Sequence, residues 1–147
     1  MKIALGTDHA GFRFKEVVKR HLTEAGHAVL DFGTDSEASV DYPDFVGPAA
    51  EAVAHGEADL GVVFGGSGNG EAIVANKVPG VRCGLCWNRE SARLTKLHNN
   101  ANVIALGGRM VPEEEVIPIV ETWLTTLYEG GRHANRLAKV HQREGNR

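Results

Sequence analysis

Short apolar runs alternate along the chain with stretches whose apolar positions recur every three or four residues. The first run, residues 2–6, reads as a β-strand. Residues 12–25 follow a helical period, with Phe14, Val17, Val18, Leu22 and Ala25 on one face and Gly26 as the stop. A second strand is expected over 28–32. A polar loop over 34–44 then leads into a helix that turns Val46, Ala49, Ala50 and Val53 inward and ends before Gly56. Residues 60–64 are almost continuously apolar, as suits a strand covered on both faces. A helix over 69–77 stops before Pro79-Gly80. Strands four and five are expected over 81–86 and 102–106, with a helix around 89–98 between them. A long helix over 113–128 contains Pro118, so it either kinks or starts later. After Gly130-Gly131 a basic helix runs from 132 to about 143.

Strand–helix alternation of this kind predicts an α/β fold, a parallel sheet with helices on both faces. Ligands of such sheets bind beyond the carboxyl ends of the strands, where strand order reverses. In a flavodoxin-like order the reversal lies between strands one and three. That would set Asp8-His9, at the exit of strand one, against the segment that leaves strand three.

Composition narrows the field. The chain has 147 residues, 42% hydrophobic and 24% charged, which suits one globular domain over 1–147. With a net charge of −3 and no long run of like charges, nucleic acid and anionic membrane are poor partners. No apolar run approaches bilayer length, and the first residues read as a strand rather than a signal peptide, so a cytoplasmic location is expected. Cys83 and Cys86 have C-x-x-C spacing but sit inside a strand. Redox pairs of this spacing usually open a helix, and zinc needs four ligands, so two buried thiols are expected.

The segment leaving strand three carries the chemistry: Gly65-Gly66-Ser67-Gly68-Asn69-Gly70-Glu71. Without side chains, its amides can converge on one negative centre, and the following helix start adds partial positive charge. Such a cradle holds a phosphate or stabilises an oxyanion formed during reaction. A tight turn would need fewer glycines. The spacing departs from the dinucleotide fingerprint, and no Gly-Lys-Ser/Thr follows, which leaves nicotinamide binding as a weak alternative and excludes a Walker loop.

Glu71 adjoins this cradle. A glutamate in a first helical turn is ordinarily a surface residue favoured by the helix dipole. Beside an oxyanion site, the same carboxylate can draw a proton from a carbon next to a carbonyl and return it to the neighbouring carbon. That converts an aldose into a ketose with no cofactor. Asp8 is otherwise an N-cap with a surface histidine beside it. His98-Asn99-Asn100 precede strand five and should lie at its amino end, away from the rim. If they serve the site, they reach that of a neighbouring subunit in a two-fold dimer. Arg132 and Arg136 share a helix face and, with Arg109, could clamp a phosphate; the competing reading is a solvated basic tail.

Thr7 to Gly11, Asp41-Tyr42-Pro43, Gly65 to Glu71, Ala75-Asn76-Lys77, His98 to Val103 and Gly131 through Arg136 together resemble the ribose-5-phosphate isomerase B family. Allose- and galactose-6-phosphate isomerases belong to the same wider group. The resemblance spans nearly the whole chain. It implies a Rossmann-like three-layer α/β/α sandwich with a five-stranded parallel sheet. It implies a dimer or tetramer with sites between subunits, the C-terminal helix packing on a partner, and interconversion of ribose 5-phosphate and ribulose 5-phosphate through an enediolate without metal or other cofactor. One branch places a catalytic cysteine at the end of strand three, where this chain has Gly65; the glutamate branch maps its base onto Glu71. Carried over likewise, Asp8 and His98 assist ring opening, and Ser67 with the amides of Gly66, Gly68, Asn69 and Gly70 forms the anion hole. His9, Arg109, Arg132 and Arg136 bind phosphate, and Tyr42 and Asn99 line the sugar. Two alternatives stay open: a related isomerase with a six- or four-carbon substrate, and a non-catalytic sugar-phosphate-binding module, which would not need Glu71.

Overall fold

A computed structural model describes residues 1–145; the last two residues of the expected domain lie outside the described residues. Five strands form one sheet: β1 (Lys2–Thr7), β2 (Ala28–Asp31), β3 (Leu60–Gly65), β4 (Cys83–Leu85) and β5 (Val103–Gly107). Six helices join or follow them: α1 (Phe12–Glu24), α2 (Pro43–Ala54), α3 (Asn69–Lys77), α4 (Arg89–Asn99), α5 (Glu113–Thr125) and α6 (Arg132–Glu144). Every strand pairing is parallel.

The period of two along each strand divides the core into two faces. Ile3, Leu5, Val62, Phe64, Ile104 and Leu106 face one way and pack with Phe14, Val18 and Leu22 of α1 and Val116, Ile119 and Trp123 of α5. Ala4, Val63, Val103 and Ala105 face the other way, against Val46, Ala49, Ala50 and Val53 of α2 and Ala75 of α3. The second face is built of smaller residues, so its helices approach closely. A Cβ at Gly6 would fall 2.6 Å from the Phe45 carbonyl oxygen of α2. The result is the three-layer sandwich expected.

The sheet order is β2-β1-β3-β5-β4. The reversal between β1 and β3 is where a flavodoxin-like order puts it, but β5 rather than β4 adjoins β3. Burial explains the exchange. All five residues of β5 are buried, as a strand with neighbours on both edges requires, whereas β4 has three half-buried residues and suits an edge. The fourth strand is shorter than the expected 81–86, and a side chain stands in for a strand neighbour on its open edge. The Asn76 amide donates to the Cys83 carbonyl at 2.9 Å and accepts from the Cys83 amide at 2.8 Å.

Two further expectations change. Ala25 is exposed, and α1 buries Lys15 instead. The Lys15 ammonium donates to both Asp31 carboxylate oxygens at 2.9 Å and to the Thr34 carbonyl at 2.6 Å, so the buried charge is paired. The Thr34 amide in turn donates to the Thr7 carbonyl at 2.8 Å, which ties the loop after β2 to the exit of β1. The helix around Pro118 starts at Glu113 with the proline inside it, and ends at Thr125 rather than at 128.

α4 opens with a capping box in which the Asn88 side chain accepts from the Ser91 amide at 2.7 Å. Asn88→Ala should lower stability by about 1 kcal/mol. A urea titration with an unchanged midpoint would mean that the cap contributes nothing. Cys83 is half-buried and Cys86 buried, and both are free thiols. Desolvation pushes the Cys86 thiol up to about 12 and Cys83 higher still, so neither is a ready nucleophile at neutral pH. No helix among the described residues is long and apolar enough to cross a membrane.

Candidate active site

The exits of β1, β3 and β5 meet at the carboxyl edge of the sheet. The Gly108 amide donates to the Gly65 carbonyl at 2.7 Å and the Arg109 amide to the Gly66 carbonyl at 2.9 Å. In a trans peptide the N–H points opposite the C=O, so these two bonds turn the amides of Gly66 and Ser67 away from β5. The approach is close enough to exclude side chains. A Cβ at Gly107 would collide with the Ser67 backbone, and one at Gly108 would lie 2.7 Å from the Ala10 carbonyl oxygen.

Gly68 closes the loop as the N-cap of α3, with φ of 84°, and supplies no side-chain cap. The left-handed backbone explains glycine there. Its Cβ would also strike Leu85 at 2.7 Å, so Gly68 packs beneath the loop rather than at its surface. An uncapped helix start leaves first-turn amides unpaired. No loop hydrogen bond among the described residues consumes the amides of Ser67 or Gly70. The Ser67 hydroxyl accepts from the Asn69 amide at 3.2 Å, which braces the turn.

Glu71 is the third residue of α3. It is 3% exposed, turned inward instead of into water. A Cβ built at Gly65 would fall on the Glu71 carboxylate, so the acid group occupies the space that a side chain at 65 would fill. This gives the Gly65–Glu71 pairing a physical basis: a side chain at position 65 and this carboxylate compete for one place. Desolvation raises the Glu71 pKa most, and the nearby Asp8 charge raises it further. The amides of Glu71 and Gly68 pull the other way. The net direction is upward, toward a better base at neutral pH.

A cleft of about 390 Å³ opens over this turn. Asp8, His9, Tyr42, Gly66, Ser67, Gly70, Glu71 and Arg109 all line it. The Asp8 Oδ1 accepts from the amides of Ala10 at 2.9 Å and Gly11 at 3.2 Å, so Asp8 shapes the start of α1 as well as facing the cleft. The Val40 amide donates to His9 Nδ1 at 3.2 Å. That bond leaves Nε2 as the protonated nitrogen and makes His9 a donor there. A Cβ at Gly70 would meet the Tyr42 hydroxyl at 2.8 Å, which places the phenol directly over the first turn of α3. Arg109 Nη1 would lie 3.2 Å from a Cβ at Gly66.

Other sequence candidates lie elsewhere. Asn69 is exposed at the first position of α3, and Gly68 is buried under the loop. Neither is among the cleft-lining residues. His98 and Asn99 end α4, before the amino end of β5, as their place in the chain required. They line a groove with Leu85, Trp87 and Thr95. Arg132 and Arg136 stand exposed on α6. One subunit therefore gathers the base, Gly66, Ser67 and Gly70 of the cradle, Asp8, His9, Tyr42 and Arg109, and leaves six candidates outside the cleft. Ala10 and Met110 also line the cleft, unforeseen from the sequence. Each adjoins a candidate in the chain, but nothing in a lone alanine or methionine marks it as cleft-lining.

The Ribose/Galactose Isomerase family pattern matches residues 3–140. Ribose-5-phosphate isomerase B of Mycolicibacterium paratuberculosis is 46% identical over 139 residues, covering 93% of this chain and 87% of that protein. Ribose-5-phosphate isomerase B of Escherichia coli is 45% identical over 139 residues, covering 95% and 93%. Among solved structures, that of Clostridium thermocellum ribose-5-phosphate isomerase B superposes with a TM-score of 0.98 at 46% identity, covering 99% of each chain. The Mycoplasma genitalium enzyme, solved with bound ribulose-5-phosphate, gives a TM-score of 0.95 at 36% identity, covering 99% of this chain and 97% of that one. A motif order that runs the length of the chain, a sheet that matches these structures and a family pattern over residues 3–140 agree: the chain belongs to the Ribose/Galactose Isomerase family.

Proposed function

We propose that this chain interconverts ribose 5-phosphate and ribulose 5-phosphate through an enediolate, with Glu71 as the base. The observation that carries the reading is a buried carboxylate beside an uncapped, glycine-built helix start. Glu71 takes the proton from C2 of the open-chain aldose, and negative charge develops on O1. The amides left free in the 66–70 turn, those of Ser67 and Gly70 among them, stabilise that charge as it forms, with the Ser67 hydroxyl beside them. The O2 hydroxyl proton passes to O1, and Glu71 returns its proton to C1, which leaves a ketone at C2. Atoms and charge balance, and no cofactor enters. His9 and Arg109 hold the phosphate, and Tyr42 lines the sugar. The names of the relatives, and the ribulose-5-phosphate bound by the Mycoplasma genitalium enzyme, support the substrate. The direct test is to incubate the chain with ribose 5-phosphate and follow the ketose; no turnover of any pentose phosphate would end the proposal.

Glu71 must be ionised to accept a proton. Its raised pKa therefore sets the acid limb of kcat/KM, with activity falling as pH drops through that value. The limb should lie above the ordinary glutamate value of about 4.3. A limb at or below that value would contradict a desolvated base.

His98, Asn99, Arg132 and Arg136 lie away from the cleft of their own subunit. In this reading they complete the site of a partner across a two-fold interface, with α6 packed on that partner. His98 and Asp8 open the furanose ring, Asn99 lines the sugar, and the two arginines add to the phosphate clamp. Mixing Glu71→Gln and His98→Ala subunits tests this. A mixed dimer rebuilds one intact site of its two, and random mixing gives about half mixed dimers, so roughly a quarter of parent activity should return. Verified mixed dimers that stay inactive would rule out a shared site.

A further inference from the structure

We propose that His98, Glu129 and His133 form a binding site for a first-row divalent cation, zinc above all. The three residues come from separate elements. His98 lies in the last turn of α4 and His133 in the first turn of α6. Glu129 sits in the segment between α5 and α6. Its amide donates to the Leu97 carbonyl at 3.0 Å, which draws that segment onto the end of α4. The imidazoles of His98 and His133 stack with centroids 4.3 Å apart and planes 17° from parallel. Both Nε2 atoms nevertheless lie close to the same oxygen, Glu129 Oε2, and a modest turn of the rings out of the stack brings their lone pairs onto one ion.

The separations argue for a shared ion rather than hydrogen bonds. Glu129 Oε2 lies 3.3 Å from His133 Nε2 and 3.9 Å from His98 Nε2. N–H···O bonds run at about 2.7–3.2 Å. Two donors on one zinc, each about 2.0–2.2 Å from the metal, stand apart by gaps like these. One ligand atom from each residue lies within 4.8 Å of the other two. An independent observation points the same way. His133 is 5% exposed, and its Nε2 has no hydrogen-bond partner among the described residues. A buried ring nitrogen left unpaired costs stability, and a metal would satisfy it. Two imidazoles and one carboxylate form a donor set that suits borderline zinc and leaves a fourth position for water.

The ion is not a cofactor in this proposal. His98 serves ring opening in the function proposed above, so an ion on its ring withdraws it and inhibits the enzyme. That consequence, unlike binding itself, rests on the functional reading.

The test uses the full chain stripped of metal. Zinc is titrated by calorimetry and cobalt by its visible absorption. One ion per chain and four-coordinate cobalt bands are expected. Glu129→Gln and His133→Ala should each weaken binding by roughly tenfold or more, while His27→Ala, at the far end of the sheet, should leave it unchanged. Glu129 is half exposed, so its substitution does not threaten the fold if the buried His133 variant fails to fold. No binding, or binding equally tight in Glu129→Gln, overturns the site. Zinc should also slow the parent enzyme and spare Glu129→Gln. Binding as expected with turnover untouched would uphold the site and remove His98 from catalysis.

Discussion

Glu71→Gln should lower turnover of ribose 5-phosphate by about two to four decades, with a fold at least as stable as the parent's. The substitution keeps the shape of the side chain and its reach toward the glycine turn. It removes only the capacity to accept and return a proton. The stability half follows from the direction of the Glu71 pKa, which desolvation and Asp8 raise. A group whose folded pKa exceeds its unfolded value contributes stability that is fully present below the unfolded value and lost as pH rises through the folded one. At neutral pH, then, the ionised carboxylate is a burden on the fold, and a neutral amide relieves it. Initial rates of ketose formation give the first effect, and urea midpoints near pH 7 and pH 5 give the second. Parent-like turnover would dismiss Glu71 as the base. A collapsed fold would recast its carboxylate as structural.

Gly65→Ala should cost about a hundredfold or more in kcat and leave thermal stability close to the parent's. The added methyl group would land on the Glu71 carboxylate. That carboxylate is the free end of a flexible side chain, so it swings aside and the backbone stays. A base displaced by an ångström or so loses the alignment that proton transfer needs. The pair of measurements separates this account from a general packing defect, which would lower stability and activity together. Parent-like kcat in a well-folded Gly65→Ala protein would show that the carboxylate does its work from some other position. The same geometry supplies a reason for the two branches of the resemblance. A cysteine at 65 and a glutamate at 71 compete for one place beside the cradle, so a chain can use one or the other.

Much of the fold was legible because it rests on local rules. The fully apolar 60–64 run announced a covered strand, and the spacing of Val46, Ala49, Ala50 and Val53 announced the buried face of α2. The glycines of 65–70 pointed to a backbone cradle for an anion, and the collisions at Gly107 and Gly108 show that this edge of the sheet also packs backbone closely against backbone at the β5 exit. Misjudgements came where a distant partner overrode the local pattern. Lys15 is buried because Asp31 and the Thr34 carbonyl lie across the loop to receive its charge. The open edge of β4 receives strand-like hydrogen bonds from the Asn76 side chain of α3 to Cys83, which no local pattern announces.

By itself the sequence determined which elements form, which faces of them are apolar, and which residue types sit at the strand exits. These follow from side-chain chemistry and from periods of two and three to four residues, which need no knowledge of the rest of the chain. Only the tertiary structure decided that β5 lies between β3 and β4 and that Glu71 turns inward onto the space beside Gly65. The place of His98 and Asn99 before β5 already set them away from the cleft; the tertiary structure added the stack of His98 on His133 and the groove that His98 and Asn99 line. Each of these depends on which surfaces meet across long stretches of chain. Burial, and with it the strength of a buried carboxylate as a base, exists only once those surfaces have closed.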